Sequence, residues 1–355
     1  MSRQHPPLFI LGIGRCGSTM LSNLIRQHPY CLSLSEFFAF VSDLGFGYNA
    51  LFSRSQITGA DFWALITART PRQTFLLRHH LVIPEVLYPF TADSTYQLAS
   101  GLPAILQTTL PHLTPQFEDL FAQLQVWCQQ QPTATPMVHC RRLFDELTGR
   151  FQKRYWVERS GGSIRIVKQL VKAFPQAKFL HLVRDGRDCA LSMSQHIAFR
   201  FVMICLQQAN YLRVKPFENC DRKLLTRLPP ALQALLPENF SVRAFWDYPL
   251  SPVDCARYWS FEMEMAMKTL RELPSERLTT LYFDDFLAKP RQSVTDLAYF
   301  LDPSPELSPS VQDWIDTSIL KIKQPRSCWR RLPLAEQQAL KAACNSGFVA
   351  LDAYH

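Results

Sequence analysis

The sequence predicts an α/β fold, a central parallel sheet covered by helices on both faces, with helical insertions between the strands. Three segments predict it. Residues 8–29 run from an apolar strand through a glycine-bearing loop into a helix stopped by His28-Pro29. Residues 177–196 repeat that order, apolar strand, polar turn, helix. Residues 278–301 supply a third strand followed by helical spacing from Val294 to Leu301. Strands alternating with helices pair in parallel, and a parallel sheet is buried on both sides.

The remaining elements follow in order. Residues 30–35 read as a short strand running into Glu36. From Phe37 to about Gln131 the chain is aromatic-rich and mostly helical, broken at Pro71, Pro84, Pro89, Pro103, Pro111 and Pro115. Residues 129–136 form a surface loop, residues 143–151 look helical, and 155–158 make a short strand. Helical spacing over 164–173 stops at Pro175. Residues 179–183 are a buried strand in which His181 reads as a buried, hydrogen-bonded residue. A helix is expected from Asp188 past Phe199. Residues 214–252 hold a proline-interrupted insertion, 256–272 a clear helix and 278–283 the next strand. The stripe Tyr258, Trp259, Phe261, Met263, Met265 and Met267 reads as core and helix-face packing. No internal repeat or low-complexity tract is visible. Residues 1–355 are expected to form a single domain with helical insertions at about 45–150 and 197–250, which cap the site and shape its specificity.

The chemistry starts in the first loop, Gly12-Ile13-Gly14-Arg15-Cys16-Gly17-Ser18-Thr19. Its spacing is that of the phosphate-binding loop G-x-x-x-x-G-K-[ST], so the fold expected is a P-loop-type three-layer sandwich. Ser18 stands where the lysine that reaches the β/γ-phosphates belongs. Backbone N–H groups and a helix N-terminus still point at an anion. The cation comes earlier, at Arg15. A plain structural turn is the alternative reading. The second segment adds Arg184 at a strand end and Ser192 eight residues on, about two helical turns later. Such a pair can converge on a further phosphate.

Arg15 to Thr19 resembles the R-S-G-T-T loop of sulfotransferases that use 3′-phosphoadenosine 5′-phosphosulfate (PAPS). The run Arg184 to Ser192 is similar to their 3′-phosphate motif. Residues 281–290, Leu-Tyr-Phe-Asp-Asp-Phe-Leu-Ala-Lys-Pro, resemble the family's Y-E-D-L-x-x-x-P block, and residues 323–330 its late basic segment. The broad group resembled includes the tyrosylprotein sulfotransferases. The resemblance spans residues 8–335, leaving 45–150 and 197–250 without a match.

The resemblance implies roles. Loop amides from Cys16 to Met20, with the Gly17 turn and the Ser18 and Thr19 hydroxyls, would hold the 5′-phosphosulfate. Arg15 would offset charge at the bridging oxygen, electrostatically, since arginine does not give up its proton. Arg184 and Ser192 would grip the 3′-phosphate. Phe283 would stack near the adenine, where relatives carry tyrosine, and Arg326, Ser327 and Trp329 would close over the nucleotide. A core tryptophan is the other reading of Trp329. Glu36 is the expected base for the acceptor hydroxyl, with Glu158 as rival. Arg159, in place of the family lysine, would stabilise the transferring sulfonate, and Gly161 replaces a proline. Cys16 replaces a serine. A thiol at a helix N-terminus can have a lowered pKa, so alkylation of Cys16 is expected to inactivate the protein, with nucleotide protecting it.

Composition sets the frame. The 355 residues are 47% hydrophobic, enough for one large core. No apolar run approaches the roughly 18 residues of a membrane helix. No secretory signal is visible at the N-terminus. Ten scattered cysteines without a C-x-x-C pair read as free thiols in a reducing compartment, so the expected location is cytoplasmic. The nine histidines form no metal-ligand pair, and no metal is assigned. The net charge is +8, concentrated at residues 150–227, where 16 Lys/Arg face 5 Asp/Glu. That suits a funnel for an anionic nucleotide or acceptor. No nucleic-acid recognition motif accompanies it.

The expected enzyme moves a sulfuryl group from PAPS to a hydroxyl or amine, leaving 3′,5′-diphosphoadenosine. A nucleotide kinase-like P-loop enzyme and a non-catalytic 3′-phosphoadenylate-binding protein are the alternatives. The acceptor stays open: the basic stretch points to an anionic one, the aromatic insertion to an apolar one.

Overall fold

A computed structural model of the chain describes residues 5–213, 222–302, 306–323 and 328–352. Five strands, β1 (Leu8–Leu11), β2 (Cys31–Ser35), β3 (Tyr155–Arg159), β4 (Lys178–Val183) and β5 (Leu278–Tyr282), form one sheet in the order β2-β3-β1-β4-β5. All four pairings are parallel, with Leu8 opposite Val157 on one side and Lys178 on the other. Every residue of β1, β2 and β3 is buried. Successive strand side chains point to opposite faces, so burial of all of them means that both faces are covered, as the sequence predicts. The core centres on Phe9 of β1, which stacks on Phe179 at 5.7 Å and meets Trp156 edge-on at 5.6 Å.

Three expectations need correction. The last strand ends at Tyr282. Phe283 instead opens the helix Phe283–Ala288, whose first turn carries Asp284 and Asp285, the charge that suits a helix N-terminus. His181 is buried, but its Nε2 has no hydrogen-bond partner, and burial pushes its pKa down to about 4. The third concerns the helix expected to pass Phe199. It is two helices, Gly186–Ser194 and Ile197–Leu212, bent 88° apart. Arg200 fixes the corner. Its buried guanidinium donates to the carbonyl of Ser194 at 3.0 Å and to those of Phe245 and Tyr248 at 2.7 Å. It thereby satisfies a carbonyl that a helix end leaves open.

The bend has a consequence for the first loop. It lays Phe199 on Gly14, which has φ +46°, and a Cβ there would lie 2.1 Å from the Phe199 ring. Trp259 is held as closely between Gly186 and Gly347, where added Cβ atoms would come within 2.5 Å of its ring. Met263 and Met267 are buried with it, whereas Phe261 and Met265 of the same stripe are exposed. Among the described residues no single helix is long and apolar enough to cross a membrane.

Candidate active site

The loop after β1, the residue after β2, the last residue of β3 and the residue after β4 meet outside the carboxyl ends of the strands. This is where open parallel sheets bind ligands. A cavity of about 370 Å³ lies there, lined by Arg15, Ser18, Thr19, Glu36, Arg159 and Arg184 among others.

Gly17 caps the helix Ser18–Ile25 with φ +96°, and a Cβ there would lie 2.2 Å from the Phe283 ring. Phe283 therefore sits against the loop, beneath the Arg184 guanidinium at 5.0 Å. The Met20 amide donates to the Gly17 carbonyl at 2.9 Å, so helix formation occupies it, leaving Cys16 to Thr19 as candidate donors to an anion. Cys16 departs from expectation more strongly. Its side chain is buried beside Gly12, and burial pushes its thiol pKa up rather than down. A raised pKa and no access argue against a reactive thiol here.

Arg15, with φ +59°, turns its side chain into the cavity. Its Nε donates to Ser192 Oγ at 3.1 Å and its Nη1 pairs with Glu85 Oε1 at 3.0 Å. Glu85 Oε2 in turn meets His196 Nε2 at 3.0 Å. Desolvation pushes the Glu85 carboxyl up, but the hydrogen bond and charge of His196, with Arg15, outweigh it and hold the pKa at about 2. Glu85 and His196 were not foreseen. Glu85 lies in the unmatched insertion and nothing local marks it. His196 lies two residues beyond the helix that carries Ser192, at the corner, and no local spacing marks its approach to Glu85.

Arg184 is 93% buried by accessible area, with a relative exposure of 7%. Its Nη1 donates to the Arg15 carbonyl at 2.9 Å, while Nε and Nη2 are buried with no partner. Unpaired buried guanidinium nitrogens are costly, and a bound anion would satisfy them. The structure thus gathers Arg15, Ser192 and Arg184 around one point.

Glu36 opens the helix Phe37–Val41 with φ +58° and is buried. One carboxylate oxygen pairs with Arg159 Nη1, and the other accepts the Gly161 amide at 2.7 Å. A proline at 161 would have no N–H to give, so the departure at Gly161 belongs with the placement of Glu36. Arg159 also donates to Ser35 Oγ at 2.8 Å. Burial raises the Glu36 pKa, with Arg159 opposing.

Glu158 points to the opposite side of β3, as alternation requires, and does not line the cavity. It accepts from Ser160 Oγ at 2.5 Å, which in turn accepts the Phe38 amide at 2.9 Å. Burial pushes the Glu158 pKa up to about 8. The native state keeps this proton up to about pH 8, while an unfolded glutamate releases it near 4.5. Stability from this group is therefore full below the lower value and lost as pH rises through the upper one. Glu158→Gln is expected to flatten that fall in thermal unfolding across this range, and an equally steep fall in the variant would refute it.

The middle of the Arg184 motif serves the scaffold. Asp185 pairs with Arg187 at 2.6 Å and accepts Trp329 Nε1 at 3.1 Å, and Asp188 accepts the Trp329 amide at 2.8 Å. Trp329 is buried, with Arg187 stacked on it at 4.0 Å, so it behaves as the core residue of the two readings. Arg326 and Ser327 lie outside the described residues.

The model of a sulfotransferase family matches residues 6–241. No curated protein matches the chain. Solved structures similar to it include the sulfotransferase domain of the Synechococcus PCC 7002 olefin synthase, with 16% identity, 98% of this chain and 95% of that one covered, and TM-score 0.43. The sulfotransferase domain of the curacin biosynthetic pathway has 14% identity, coverage of 96% and 98%, and TM-score 0.44. A Mycobacterium tuberculosis H37Rv sulfotransferase has 15% identity, coverage of 96% and 76%, and TM-score 0.40.

Proposed function

The chain belongs to the sulfotransferase family, and from that premise we propose that it moves a sulfuryl group from PAPS to an acceptor hydroxyl or amine. When bound, PAPS supplies a sulfuryl group already attached to a phosphate leaving group. The observation that carries this donor is Arg184, buried beside the phosphate-type loop with two nitrogens unpaired. A nucleotide with a single phosphate chain would leave that grip empty, and a 3′-phosphate would fill it.

The chain's own residues then have separate tasks. The loop amides from Cys16 to Thr19, with the Ser18 and Thr19 hydroxyls, hold the 5′ anion. Arg15 offsets charge there without transferring a proton. Arg184, with Ser192 beside Arg15, takes the 3′-phosphate. Glu36 faces the cavity as a carboxylate whose pKa burial has raised, which makes it a stronger base. It takes the acceptor's hydroxyl proton, while Arg159 and the Gly161 amide keep it in place. Charge neutralisation and positioning supply the rest of the rate.

The test is calorimetric titration with 3′,5′-diphosphoadenosine, 5′-AMP and magnesium ATP, followed by an acceptor screen with labelled PAPS. Selective binding of the bisphosphate is expected. Preference for magnesium ATP would return the chain to the kinase-like reading.

A further inference from the structure

We infer that the acceptor is an uncharged, largely apolar alcohol or phenol. This rests on the sulfotransferase reading of the same site and narrows it to a substrate class. The first support is the wall. Tyr48 and Tyr258 line the cavity, but their hydroxyls are engaged by Ser42 and by Glu262 and Arg165. The rest of the wall beyond the loop and Glu36 is built by Phe40 and Leu44 after β2, Ile83 and Pro84 from the insertion, and Phe199 and Val202 from the bent helix. These side chains offer no hydrogen bonds. A sugar bound against them would bury hydroxyls without partners, at a cost that an alkyl or aryl body avoids.

The second support is the fate of the charges. Four arginines line the cavity among the described residues. Arg15 is paired with Glu85, Arg159 with Glu36, and Arg165 with Glu262 at 3.1 Å. Arg159 Nε also lacks a hydrogen-bond partner, but its charge is balanced by Glu36. Arg184 keeps two unpaired nitrogens, has no carboxylate partner among the described residues, and stands at the loop end, where the donor's phosphate belongs. Among the described residues that line the cavity, the basic stretch therefore leaves no further unpaired charge for an acidic acceptor. Donor binding sharpens the exclusion. When Arg15 turns to the donor, Glu85 retains only His196, and an anionic acceptor meets two carboxylates and the donor's own charge. An ammonium fails differently. As an acceptor it is protonated and has no lone pair for a sulfuryl group. As the tail of a phenol it loses hydration against the apolar wall and competes with Arg159 for Glu36, the group that must take the phenol's proton.

A matched series separates these cases: 4-propylphenol, 3-(4-hydroxyphenyl)propanoate and tyramine share one phenol and differ in tail charge. Calorimetry on the protein, with and without 3′,5′-diphosphoadenosine, is expected to show the neutral phenol bound at least about tenfold more tightly than either charged analogue. The gap to the propanoate should widen with the bisphosphate bound. Val202→Lys, which places a cation in the apolar wall, is expected to reverse the order of phenol and propanoate. Should that variant not fold, the series on the unaltered protein decides alone. Equal or tighter binding of a charged analogue overturns the inference, and so does failure of all three to bind. Failure of the bisphosphate to bind would overturn the donor reading instead, while the series on the free protein still decides the acceptor class.

Discussion

Replacing Arg184 with alanine is expected to weaken binding of 3′,5′-diphosphoadenosine by about 30- to 1,000-fold, the equivalent of about 2–4 kcal/mol, while 5′-AMP changes by no more than about threefold. The asymmetry follows from how the guanidinium is held. The Arg15 carbonyl fixes Nη1, leaving Nε and Nη2 as one edge of the fork. That edge matches two oxygens of a phosphate, a stronger arrangement than a point charge. Arg184→Lys should therefore recover only part of the affinity. Thermal unfolding gives an independent readout. Saturating bisphosphate should raise the melting temperature of the unaltered protein, because it binds the native state alone, and should do so far less for the alanine variant. Equal loss of both nucleotides would show instead that Arg184 acts through the Arg15 carbonyl, as a brace for the loop. Unchanged affinity would remove the 3′-phosphate grip from the proposal.

What the sequence could show of this site follows from how local each signal is. The loop from Gly12 to Thr19 was legible because its glycines serve a local turn. Gly17 needs φ +96° and room for Phe283, and both needs are written into one residue type. The parallel sheet was legible because β1 and β4 bury both faces and read as near-continuous apolar runs, Leu8–Leu11 without a break and 179–183 broken only by His181. The corner after Ser194 was not. No proline or glycine marks it, and it is stabilised by Arg200 reaching carbonyls of residues 245 and 248, some 45 positions away. Glu85 was hidden for the same reason, since its pairing with Arg15 crosses 70 positions. Cys16 was misread because position at a helix N-terminus suggests an activated thiol, whereas burial beside Gly12 decides its pKa. Of the two candidate bases, only three dimensions could choose by exposure to the cavity. Glu158 and Arg159 are neighbours in sequence, and alternation sends one into the core and the other toward Glu36.

That choice yields the second large effect. Glu36→Gln is expected to lower kcat by about 10²- to 10⁴-fold, the range for loss of a general base, with bisphosphate affinity changed by less than about threefold. The rate of the unaltered enzyme should rise with pH through the Glu36 pKa, because only the carboxylate accepts the proton. Burial places that limb above the ordinary glutamate value. The glutamine variant should lose the limb, a result that a purely structural role would not produce. Structure is nonetheless at stake, since Arg159 is 2% exposed and loses its counter-ion. Breaking a buried pair costs about 3–5 kcal/mol, though the glutamine oxygen can still accept from Arg159. Rates must therefore be compared at a temperature where both proteins are folded. Glu158→Gln supplies the contrast. Its side chain is fully buried away from the cavity, so kcat should stay within a few-fold of the unaltered enzyme even as its pH–stability profile flattens. The opposite pattern, activity lost at Glu158 and kept at Glu36, would make Glu36 no more than the counter-ion of Arg159.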